Sequence, residues 1–167
     1  MTKTMNFKIP SKIKQIGKNR EKLLKLEKRG KFVFHGSLDT IDILEPQQAY
    51  NNNEKTGQME KDGDPAVFAT IYADVAIFRA LINSKDVVGE STSEFGTNGE
   101  QLYLSATKNL LDQTEKKIGK VYVLDKQKFK DFKGMQCQSE ESIVPIKVIK
   151  VTVEDLPDNI KVISDND

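Results

Sequence analysis

PAVFATIYADVAIFRALI, residues 65–82, is the stretch on which the fold class turns. Behind Pro65, the run Ala66-Val67-Phe68-Ala69-Thr70 is short and apolar, the length of a buried strand. The period then changes: Val75, Ala76, Phe78, Ala80 and Leu81 fall at helical spacing. A strand feeding a helix would open an α/β chain if the alternation continued, and it does not. Downstream, Leu102-Tyr103-Leu104, KVYVLDKQKF (120–129) and ESIVPIKVIKVTVEDLP (141–157, bent at Pro145) all predict strands, with TEKKIG (114–119) as a turn. Upstream, KFVFHG (31–36) predicts another strand. Helices gather towards the N-terminal half and strands towards the C-terminal half. That distribution predicts an α+β fold and not a doubly wound sheet.

The 167 residues are long enough to bury a core as one domain. The 37% hydrophobic and 31% charged content excludes a disordered chain, and no apolar run reaches membrane-spanning length. Cys137 is the only cysteine, so no internal disulfide or cysteine-rich zinc site is available. A reducing, cytoplasmic setting is the expectation, with no secretory leader in MTKTMNFKIPSKIKQ. Residues 47–65, QQAYNNNEKTGQMEKDGDP, are polar and rich in Asn and Gly, which predicts a long exposed loop.

A net charge of +1 conceals an asymmetry. Residues 1–31 carry eleven Lys and Arg against Glu21 and Glu27, so that segment is +9 and the rest of the chain −8. A helix is expected over 11–29, with Ser11 as cap, Ile13, Ile16, Leu23, Leu24 and Leu26 as a partial apolar face, and Gly30 as stop. Read this way, residues 1–30 form a basic helical arm, 31–163 the domain proper and 164–167 a frayed tail. The arm could meet an acidic partner or a nucleic acid. It has no interleaved aromatics for base stacking, and a solvated face with pairs such as Glu21–Lys25 explains the same charges.

Few residues carry chemistry. GESTSEFGTNGE (89–100) lacks the Gly-Lys-Ser/Thr ending of a phosphate loop. The single His and single Cys have no local signature of a nucleophilic pair, and no spacing suggests a metal site. What remains is His35, the chain's one physiological-pH titrator, set at a strand end beside Gly36 and Ser37.

Taken in order, FHGS (34–37), VFAT (67–70) before an alanine-rich helix, KVYVLD (120–125) and EESIVPIKVIKV (140–151) resemble the ADP-ribosyltransferase superfamily. The likeness is to its small bacterial branch, which includes rifampin ADP-ribosyltransferase, and to RNA 2′-phosphotransferases. The resemblance implies split mixed or antiparallel sheets with an N-terminal helix, and transfer of ADP-ribose from NAD to an acceptor without a metal. It implies that His35 bonds the adenosine ribose, that Gly36 and Ser37 continue the NAD site, and that Gly36 admits the nicotinamide amide to the backbone. Phe68 would take the place of a stacking aromatic that is usually Tyr, with Tyr72 as a substitute if the helix begins there. Glu141, expected to open a strand, would be the catalytic glutamate that stabilises the oxocarbenium-like charge. Ser139 stands where arginine-directed members carry an acid, so arginine is not the implied acceptor.

Two other readings share these residues. One is a domain of this type that binds a nucleotide or a protein without catalysis, suggested by Phe68. The other is an interaction module built on the basic helix.

Overall fold

The computed structural model describes residues 16–82, 89, 91–99 and 101–164. The expected Ser11 cap, Ile13 and the last three residues of the tail lie outside them. Helix α1 spans Lys18–Lys28 with Gly17 as its N-cap, so it starts later than the expected 11–29. Ile16 precedes the helix and is exposed, while Leu23 is fully buried. Strands β1 (Phe32–Ser37), β2 (Gln47–Asn52) and β3 (Met59–Thr70) follow, then helix α2 (Ala73–Leu81). Next come β4 (Ser93–Asn98), β5 (Gln101–Thr107), the short helix α3 (Lys108–Asp112) and β6 (Gly119–Asp125). Strands β7 (Lys130–Lys133), β8 (Gln136–Ser139), β9 (Lys147–Val151) and β10 (Ile160–Ile163) complete the described chain.

These elements form an α+β fold with two sheets. The larger is antiparallel, in the order β7-β8-β3-β1-β6-β9, with β2 paired to β3. The smaller, β10-β5-β4, is mixed: β4 and β5 form a hairpin, and β10 runs parallel to β5. Alternation along β1 and β6 divides the core. Phe34, Val121 and Val123 join α1, α2 and the small sheet in one cluster. Val33, Tyr122 and Leu124 face the other way, beneath Leu44, Phe129 and Ile143.

Two sequence expectations need correction. Residues 47–65 are not a loop but mainly a hairpin, turned through 53–58, where Asn53 O accepts from Gly57 N at 2.7 Å and Gly57 has φ +70°. Its strands are exposed on both faces over most of their length, so they carry no apolar alternation. Residues 141–157 are not one bent strand: Ile143 makes an isolated bridge to Leu44, and β9 starts only at Lys147.

Helix α2 sits close to the large sheet because the residues between them are small. A Cβ at Gly36 would collide with the carbonyl oxygen of Ala76, and one at Gly119 would lie 2.7 Å from that of Ala80. Ala76 and Ala80 are one helical turn apart on one face. Glycine on β1 and at the start of β6 therefore seats α2.

Helix α1 is built into this body. Arg20 donates to both oxygens of Asp74, at 2.8 and 3.0 Å. Glu27 Oε1 accepts from Ala73 N, the first amide of α2, at 2.6 Å, in place of a local side-chain cap. By contrast, Glu21 and Lys25 are 4.0 Å apart and exposed, a pair that contributes little.

Candidate functional site

Strand β1 pairs with β3 at one position, Phe34 opposite Thr70. Beyond it, where His35 and Gly36 would face Ala69 and Phe68, the ladder stops. The carbonyl of Phe68 instead accepts a hydrogen bond from the His35 ring, Nδ1 to O 2.8 Å. A carbonyl can only accept, so Nδ1 carries the proton and Nε2 of the neutral ring is an acceptor. Burial pushes the His35 pKa below its ordinary value; the bond to Phe68 opposes that shift, and the positive charge of Arg79 adds to it. His35 is therefore neutral at pH 7, its tautomer fixed by the main chain. Its ring lies 6.3 Å from that of Tyr122.

Where the strands part, a cleft opens between the large sheet, α2 and β4 of the small sheet. His35, Gly36 and Phe68 line it, with Val75, Arg79 and Phe95. It offers about 60 Å³ of room for the centre of a water-sized molecule, several times what one water requires. The walls are mostly apolar; the polar side chains among them are Thr70, Gln136, the His35 ring and the Arg79 guanidinium, the last two of opposite character.

The other expected residues lie elsewhere. Ser37 is the last residue of β1, and its Oγ accepts from Asp39 N at 3.1 Å, closing a turn; it does not line the cleft. Tyr72 is the residue before α2 and is likewise outside the lining, so the helix starts one residue too late for it to take Phe68's place. Glu141 does not open a strand. It follows the end of β8 as an exposed residue whose backbone N–H donates to Ser139 Oγ at 3.2 Å. The register of β8 against β3 runs from Gln136 at Thr70 to Ser139 at Val67, so Glu141 lies towards the end away from the cleft. It borders a separate surface depression with Glu140, which pairs with Lys130 at 2.7 Å.

Gly36 also has a different explanation from the one its resemblance implies. Its missing Cβ makes room for α2, which accounts for the glycine without a ligand. Arg79 was missed. The signal was present in ADVAIFRAL, whose two charged residues are Asp74 and Arg79. Asp74 is taken by Arg20, which leaves a cation unaccounted for on a helix with seven of nine residues buried.

Among the described residues no three His, Cys, Asp or Glu side chains cluster as metal ligands, and no helix is long and apolar enough to cross a membrane. Comparison with protein families, characterised proteins and solved structures finds no match.

Proposed function

We propose that the cleft between the two sheets binds NAD or a closely related nucleotide, and that the chain is an ADP-ribosyltransferase-like protein. The observation that carries this reading is the parting of β1 from β3, which brings His35, Gly36 and Phe68 to one cleft although Phe68 is far from the other two in the chain. Phe68 offers a ring face to a planar group. The His35 Nε2 lone pair suits a ribose hydroxyl or an amide N–H. ADP-ribose transfer would proceed by departure of nicotinamide and attack of an acceptor on the anomeric carbon, with no protein nucleophile. Glu141 is the candidate for stabilising the charge that develops.

Its position favours a second reading, nucleotide binding without turnover, because Glu141 borders a different depression from His35.

Calorimetric titration with NAD, with chromatography for free nicotinamide, separates the two. Binding that His35→Ala abolishes is the result expected of the site, and no heat with either NAD or ADP at millimolar concentration would overturn both readings. Transfer predicts nicotinamide release that Glu141→Gln slows about a hundredfold or more, since a charge is lost from the transition state. The same change should alter affinity by only about 1 kcal/mol, and Glu140→Gln should be silent. Heat without release selects binding alone.

A further inference from the structure

We infer that Arg79 is the anion anchor of the cleft, so that its ligand carries a phosphate group held by the Arg79 guanidinium. This rests on the nucleotide reading and names the part of the ligand that this chain grips by charge.

Among the described residues, Arg79 is the one charged side chain lining the cleft. Among the described residues it has no carboxylate partner; its contact is with the Phe95 ring, 5.2 Å from the guanidinium carbon. Arg20 is the comparison. It is held on both edges by Asp74, which raises its pKa. Arg79 lies over an aromatic face, and burial lowers its pKa with no acid to compensate. A guanidinium remains charged even so, and stacking on a ring leaves its in-plane N–H donors available.

Placement agrees with charge. Arg79 is exposed on a mostly buried helix, although its guanidinium is partly desolvated over Phe95. It stands at the mouth, whereas Phe34, Val75 and Ala76 wall the interior. A ligand with a flat, neutral part inside and an oxyanion outside matches this order. The helix dipole accounts for a cation in the last turn of α2. It does not account for that cation lying on Phe95 at a cleft that, among the described residues, no acid lines. A forked guanidinium is suited to phosphate oxygens, with bonds stronger than those between neutral groups. The same charge helps to keep His35 neutral, so the ligand meets an acceptor at His35 and a cation at Arg79.

The test is titration of the full chain with ADP, adenosine and NAD, at low and high salt, for wild type, Arg79→Gln and Arg79→Lys. Arg79→Gln should weaken ADP and NAD by about 10- to 100-fold while moving adenosine by less than about twofold. Arg79→Lys should recover part of the loss, because the charge returns without the fork. Wild-type affinity for ADP should fall with salt and that for adenosine should not. Equal ADP binding by wild type and Arg79→Gln, or salt-independent ADP binding by wild type, overturns the inference. Arg79-dependent ADP binding with no NAD binding overturns the NAD reading and leaves this inference standing. Absence of binding by both ADP and NAD overturns both.

Discussion

His35 shows how one side chain can serve structure and ligand together. Its Nδ1–H satisfies the Phe68 carbonyl where the ladder between β1 and β3 ends, and the pairing leaves Nε2 as an acceptor. The cost appears in pH dependence. Burial holds the folded-state pKa below the ordinary 6.5, so on acidification the unfolded chain takes up this proton first. Stability should therefore fall as pH drops through about 6.5 towards the folded value, and this contribution should level off below it. His35→Gln keeps an N–H for Phe68 and cannot titrate. The difference in melting temperature between wild type and His35→Gln should shift against wild type between pH 7 and 5. A pH-independent difference would mean that His35 is not held neutral.

Between elements, carboxylates do the joining. Glu27 of α1 caps α2. Asp155, 4% exposed, accepts from Arg20 N in the first turn of α1 at 3.2 Å and from Thr152 N at 2.9 Å. The helix that looked like an arm is thus fixed near both ends by carboxylates, Asp155 of the body at its start and its own Glu27 near its close. Removing Asp155 leaves the part-buried amides of Arg20, in the first turn of α1, and of Thr152 unpaired, so Asp155→Ala should cost about 2 kcal/mol in denaturant unfolding. Asp155→Asn, which keeps one acceptor oxygen, should cost less. A loss below about 0.5 kcal/mol for Asp155→Ala would show that the Asp155 bonds add little to the docking of α1. Neither of the long-range links has a local signature. Glu27 meets Ala73 across 46 residues and Asp155 meets Arg20 across 135.

For the molecule as a whole, the basic helix is part of the core, with Leu23 fully buried beside Phe34 and Ile77. A chain lacking residues 1–29 should lose its cooperative melt. Cys137 offers the readout. It is buried, its Sγ lies 3.7 Å from the Ala69 carbonyl, and burial pushes its pKa up to about 11. A thiol reagent at pH 8 should label the intact chain slowly, at the rate at which the protein opens, and the truncated chain at once. Slow labelling of the truncated chain would show that residues 30–164 fold alone.

Elements whose burial leaves a period were legible from the residues: Phe32–Ser37, Ala73–Leu81 and Gly119–Asp125 pack one or both faces, and their apolar residues repeat accordingly. With few helices and several strands beyond Leu81, the sequence also determined the α+β class. The strands of the 47–65 hairpin were not legible, because backbone bonds hold them with little side-chain burial. The site, in contrast, was set by long-range packing. Gly36 is explained by the close seat of α2, Arg79 by its place over Phe95, and the position of Glu141 by where β8 ends. Each depends on a neighbour distant in sequence, and local propensity holds no record of that contact.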